Sequence, residues 1–233
     1  MSKPRLSNRL QAIFDMVDPG AYLADVGSDH ALLPIALVQS GKISWAQAIE
    51  NKVGPFLHMQ NAISAAGLVS HISSSRSDGI SKLNPSVDEI AICGMGGMLA
   101  CDILEAHPEK LSSIKAIILD PHRDLMAARK RVCDLGFHIE DETMVFEDKI
   151  YYTIIKFAAG EPKKPYSQPD LAFGPKLRRK SGPVYLDWLN AQLKTLNDLL
   201  NKPISKERRD SVVPWYRLVR DERNRVLRQS ESK

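Results

Sequence analysis

Two β-compatible runs, HIEDETMVFED (138–148) and IYYTIIKFA (150–158), are separated by a single residue. A parallel crossover needs roughly a dozen residues or more, so these two strands must form an antiparallel hairpin. Upstream, five further runs alternate with longer helix-compatible stretches: AYLADVG (21–27), WAQAIE (45–50), HISSSRSD (71–78), EIAICG (89–94) and KAIILD (115–120). That alternation predicts an α/β architecture in which helical crossovers link five parallel strands and the hairpin closes the sheet.

The rest of the chain reads as helical. Leu6, Leu10, Ile13 and Val17 recur at helical spacing, with Ser7 placed to cap the run and Pro19-Gly20 to stop it. Such a helix would cover a sheet edge or the mouth of a ligand site. After the sheet, GEPKKPYSQPD (160–170) is dense in Pro and polar residues and marks a boundary, predicting a sheet domain over 1–160 and a second domain over 161–233. In the second, Leu186, Leu189, Leu193, Leu196 and Leu200 form a narrow coiled-coil stripe. Val212, Tyr216, Val219 and Val226 continue it, with Arg223 at the missing step. The two stretches predict an antiparallel helical hairpin with Lys202 to Arg209 near its tip. Pro214 belongs in a first helical turn, which makes 205–213 a loop or separate turn.

Charge divides along the same line. Residues 1–162 carry 15 Lys+Arg against 20 Asp+Glu, a net −5, whereas residues 163–233 carry 17 against 8, a net +9. A basic appendage on a mildly acidic domain fits a protein that grips a polyanion with one part and does chemistry with the other. No run approaches the ~18 apolar residues of a membrane helix and the N-terminus has no signal core, so a cytoplasmic protein is expected. Cys93, Cys101 and Cys133 include no C-x-x-C pair, which predicts reduced thiols and no metal site.

Five crossover-linked strands followed by a hairpin is the plan of the class I methyltransferase fold, a Rossmann-like arrangement; nicotinamide-binding folds lack that hairpin. The first strand-to-helix junction, YLADVGSDHALLP (22–34), is where open α/β sheets bind ligands. A dinucleotide would want G-x-G-x-x-G, but here only Gly27 is present and Asp29 would repel a pyrophosphate. S-adenosylmethionine carries an ammonium, a sulfonium and a ribose but no phosphate. Asp25 and Asp29 suit those cations, Gly27 and Ser28 let the backbone come close, and His30 can hydrogen-bond beside them. The competing reading makes Asp29 a helix cap and Asp25 a strand-end solubiliser. Glu50, 23 residues after Gly27, stands near the spacing at which an acid meets ribose hydroxyls. Asp78 and Gly79 end the third strand, where a carboxylate can accept from an adenine amino group. CGMGGML (93–99) ends the fourth, with Gly94, Gly96 and Gly97 opening a slot and Met95 as a flexible wall.

In this order the segments resemble the bacterial tRNA (adenine-22-N1) methyltransferases, the TrmK family. The resemblance rests on LSNRL, ADVGSDHALLP, IENKVGPF, SDGI, GMGGM and GFHI across most of residues 5–160, continued by FGPKL (173–177) and YLDWL. It implies a Rossmann-like catalytic domain followed by a small coiled-coil domain, S-adenosylmethionine as cofactor and tRNA as partner. One departure stands out: the family's fifth strand usually ends in QPN, and here it reads LDPHRD, with Asp120 and His122 in the polar places. Adenine N1 carries a lone pair and needs no base, so positioning and stabilisation of the cationic product base carry the catalysis. Asp29 and Asp120 are the candidate stabilisers, with His30 or His122 as hydrogen-bond partners. A small-molecule methyltransferase and a non-catalytic RNA-binding protein remain the alternatives, and the oligomeric state is open.

Overall fold

The structure, a computed structural model, describes residues 6–231. Seven strands form one sheet: β1 (Tyr22–Val26), β2 (Trp45–Glu50), β3 (Ile72–Arg76), β4 (Glu89–Met95), β5 (Ala116–Pro121), β6 (Phe137–Glu147) and β7 (Ile150–Ala159). Their order is β3-β2-β1-β4-β5-β7-β6. The first five pair in parallel, and β7 runs antiparallel between β5 and β6. The hairpin turn is Asp148-Lys149, both residues at positive φ (49° and 66°). A two-residue turn of that kind matches the right-handed twist of its strands.

Chain order reverses between β1 and β4, which puts the ligand crevice at the carboxyl ends of these strands. The crossovers use α2 (Leu32–Gln39), α3 (Val53–Ala65), α4 (Gly97–Glu105) and α5 (Leu125–Asp134). The link from β3 to β4, however, holds no helix. Residues 77–88 run instead as successive turns pinned by the buried Gln47 amide. Its Nε2 donates to Ser75 Oγ (2.8 Å) and Lys82 O (2.9 Å), and its Oε1 accepts from Asn84 N (2.8 Å).

The N-terminal helix α1 (Asn8–Met16) is capped by Ser7, whose Oγ accepts from Leu10 N at 3.2 Å. Ile13 and Val17 bury against Leu23, Leu33, Leu37 and Ile118. Lys42 Nζ donates to the Phe14 and Asp15 carbonyls, opposing the negative end of the helix dipole. At the other end Glu147, the last residue of β6, accepts from Asn8 N (2.7 Å) and Arg9 N (3.3 Å). The helix is thereby clamped at both ends, with Arg9 and Leu10 facing the crevice.

The chain divides into two compact units, Met1–Pro165 and Tyr166–Lys233. The second holds α6 (Gln168–Phe173), α7 (Pro175–Lys180), α8 (Pro183–Leu200) and α9 (Lys206–Glu231). Bonds from Tyr185 to Glu222 and from Arg209 to the Leu200 carbonyl show α8 and α9 running antiparallel. Leu189, Val212, Val219 and Val226 are buried, as the stripe required, whereas the other stripe leucines are only half-buried. The expectation of a loop over 205–213 is corrected, because α9 begins at Lys206 and carries Pro214 in its interior. Ser205 Oγ accepts from Arg208 N (3.2 Å) and starts the helix. Proline deprives the Asp210 carbonyl of its helical donor, but Asp210 is exposed, so water satisfies that oxygen at little cost.

Candidate active site

The β1–α2 turn is built from residues that normally avoid left-handed backbone. Gly27 (φ 77°), Asp29 (38°) and Ala31 (53°) all adopt it, which folds the turn back over the strand ends. Gly27 N and Ser28 N donate to Ile49 O at 2.9 and 3.1 Å, locking the turn to β2. The helix starts at Leu32 with no side-chain cap, so Asp29 is not a helix cap. Its carboxylate is 57% exposed, 3.6 Å from His30 Nε2, and the His30 ring stacks on His58.

Asp25 is the opposite case. It is 6% exposed, and among the described residues its only side-chain partner is Ser28 Oγ, which donates to Oδ2 at 2.6 Å. Burial pushes its carboxyl up to about 6, partly offset by the Ser28 bond and reinforced by the nearby Glu50. A buried carboxylate without a cation is costly unless a ligand supplies one.

Two cavities open here, of about 280 and 370 Å³. Gly27 and Asp29 line both. The smaller adds Asp25, Ser28, His30 and Cys93, together with Ser7, Arg9 and Leu10 from the N-terminal segment. The larger adds Glu50, Asp78, Gly79, Met95 and Leu99. Glu50 Oε1 accepts from Asn51 N (2.9 Å) and Lys52 N (3.1 Å), which fixes the carboxylate and leaves Oε2 for a ligand. A Cβ on Gly27 would lie 2.9 Å from Met95 Cε. Gly27→Ala should therefore both strain the turn, by about 1 kcal/mol, and push Met95 into the larger cavity. Calorimetric titration should show cofactor affinity reduced roughly tenfold, the size of an effect near 1.4 kcal/mol.

Four of the sequence-derived site residues lie outside these linings. Gly94 and Gly96 make room for protein groups: a Cβ on Gly94 would sit 3.1 Å from Arg9 Nη2, and one on Gly96 would sit 3.2 Å from Arg123 Nε. His122 is exposed, its ring 5.9 Å from that of Tyr152. Asp120 is fully buried, with Oδ2 bound by Arg9 Nε at 2.5 Å and Oδ1 without a hydrogen-bond partner. Burial raises its carboxyl above the usual range, and Arg9 opposes that rise. Arg9 is the residue that the apolar periodicity passed over. Its guanidinium lies 4.7 Å from the Tyr152 ring centroid, a cation–π contact from α1 to β7.

Comparison with known proteins then decides the family. The model of TrmK, tRNA (adenine(22)-N(1))-methyltransferase, matches residues 23–213. The chain belongs to the TrmK family. The tRNA (adenine(22)-N(1))-methyltransferase of Bacillus subtilis (strain 168) is 35% identical over 191 residues, 80% of each protein. A crystal structure of a candidate tRNA (m1A22) methyltransferase from Streptococcus pneumoniae superposes with a TM-score of 0.89 at 32% identity, covering 94% of this chain and 99% of that one. The same protein in complex with S-adenosyl-L-methionine gives 0.86 at 32% identity, with the same coverage. The B. subtilis TrmK crystal structure gives 0.84 at 29% identity, covering 94% and 98%. TrmK membership selects the tRNA enzyme over the small-molecule and non-catalytic alternatives. Among the described residues no helix is long and apolar enough to cross a membrane, and no group of three His, Cys, Asp or Glu is placed to hold a metal ion.

Proposed function

We propose that this S-adenosylmethionine-dependent tRNA (adenine(22)-N(1))-methyltransferase binds its cofactor across the two cavities and grips tRNA with its basic helical unit, working in the cytoplasm. The observation that carries the cofactor reading is Asp25, a buried carboxylate with a raised pKa and only a serine for a partner among the described residues. Two carboxylates at a glycine turn, with no lysine or arginine in that turn, fit a cationic ligand and reject a pyrophosphate.

S-adenosylmethionine supplies an electrophilic methyl group on its sulfonium. Asp25 and Asp29 hold its positive charges, Glu50 Oε2 accepts from the ribose hydroxyls, and Asp78 accepts from the adenine amino group. Gly27 and Gly79 keep the walls low, and Met95 and Leu99 form an apolar side that excludes water. Adenine N1 attacks through its own lone pair, so the protein's work is to orient the base and stabilise the cation that forms. Asp29 is the exposed carboxylate available for this. Asp120 acts through Arg9, because its charge is buried and already paired, and His122 stands near Tyr152 as a hydrogen-bonding wall.

Incubation with tRNA and labelled S-adenosylmethionine, followed by nucleoside analysis, should yield 1-methyladenosine at position 22. Asp29→Ala should lower single-turnover methylation by about 10- to 100-fold, the range for removing one electrostatic partner of a developing charge. Cofactor affinity should change far less. An unchanged turnover would move the stabilising role elsewhere, and a label found on another nucleoside would overturn the substrate assignment.

A further inference from the structure

S-adenosylmethionine ends in an amino acid, and a zwitterion needs a cation as well as anions in its cavity. The smaller cavity supplies carboxylates in Asp25 and Asp29, and among its described lining residues Arg9 is the one permanently charged cation. A guanidinium offers two hydrogen-bonding edges. In Arg9 the Nε edge is committed to Asp120 and the flat face rests on Tyr152. Among the described residues Nη1 and Nη2 make no hydrogen bond, and Nη2 lies over Gly94, where a Cβ would approach it to 3.1 Å. Glu147 holds the backbone of Asn8 and Arg9, so the start of α1 is fixed over the cavity.

We propose that Arg9 receives the carboxylate of the methionine moiety of S-adenosylmethionine on its Nη1/Nη2 edge, while Asp120 grips the opposite edge and fixes the guanidinium in place. This rests on the reading of the cavities as the cofactor site. Asp120 is thereby a positioning residue. Its charge also matters: the neutral glutamine usual in the family could accept from Nε but would not balance it, whereas Asp120 is fully buried and anionic partners of this kind fix geometry tightly. The unpartnered Oδ1 fits this role, since the carboxylate is held by Arg9 alone among the described residues.

The test is calorimetric titration of the full chain with two probes, S-adenosylmethionine and its decarboxylated analogue, which keeps the ammonium, sulfonium and adenosine. The wild-type chain should prefer S-adenosylmethionine by about 10- to 100-fold, the range of a charge-assisted hydrogen-bond pair. Arg9→Met should remove that preference by weakening S-adenosylmethionine alone, and Arg9→Lys should keep part of it. Because Arg9→Met leaves Asp120 buried without a cation, Arg9→Met/Asp120→Asn is measured beside it and should show the same loss of preference. Equal affinity of the wild-type chain for both probes would overturn the proposal, as would variants that lose both probes equally. Weakened tRNA binding with both probe affinities intact would assign the free edge to RNA and overturn it too. A wild-type chain that binds neither probe would defeat the cofactor reading itself, an outcome distinct from the failure of Arg9.

Discussion

Asp25→Asn should cost S-adenosylmethionine binding at least 100-fold at pH 7 while raising the thermal stability of the ligand-free protein. Both effects follow from one carboxyl. It is buried, bound only by the Ser28 hydroxyl among the described residues, and pushed up to about 6 from its ordinary value of 3.8. A carboxyl with a raised folded-state pKa contributes stability that is fully present below 3.8 and is lost as the pH rises to about 6. Above that the ionised form is a standing cost, on the order of 3 kcal/mol at most. Asparagine keeps the acceptor for Ser28 and removes the charge, so melting by fluorimetry at neutral pH should move up by several degrees. The cationic cofactor loses its buried counter-ion in the same step. In the wild-type chain affinity should fall as the pH drops below about 6, and in the variant it should be flat across that range. An Asp25→Asn protein that binds S-adenosylmethionine like its parent would remove Asp25 from the site.

What could be read from the sequence was whatever local pattern determines. The strand positions and the hairpin follow from run lengths and from the absence of room for a crossover, and the structure places each strand within two residues of its run. The Asp25 and Asp29 turn was legible because charge in an otherwise apolar junction has few uses. Tertiary compensation was not legible. The absence of a helix between β3 and β4 depends on Gln47 reaching across to Lys82 and Asn84. Pro214 is tolerated inside α9 because its unmet carbonyl faces water. Arg9 lies 111 residues from the carboxylate it binds, and a periodicity that selects Leu6, Leu10 and Ile13 assigns it to solvent. The only advance signal was Asp120 itself, an acid at the end of the apolar run AIILD that needed a partner.

The basic helical unit should separate into cations that hold RNA and cations that hold the fold. Arg178 belongs to the second kind: its Nε donates to Glu222 Oε2 at 3.0 Å and its Nη1 pairs with Asp170. Arg225 (2.7 Å) and Tyr185 (2.9 Å) both donate to Glu222 Oε1. Burial alone would raise the Glu222 carboxyl, but these partners hold it below the usual range, so the network ties α7, α8 and α9 together. Arg178→Ala should therefore lower the melting temperature and leave the salt dependence of tRNA binding unchanged. Arg179, Lys180 and Arg208 are exposed and lie outside that network. Reversing all three to glutamate should weaken tRNA binding by about 100-fold or more near physiological salt, and flatten the slope of log affinity against log salt by somewhat under one unit for each phosphate no longer neutralised. Cofactor affinity, measured by calorimetry, should stay at the parent value. The residues before 163 carry a net −5 and would not hold the polyanion on charge alone. If the triple variant binds and methylates full-length tRNA like its parent, with the same salt slope, the surplus charge of this unit serves something other than RNA.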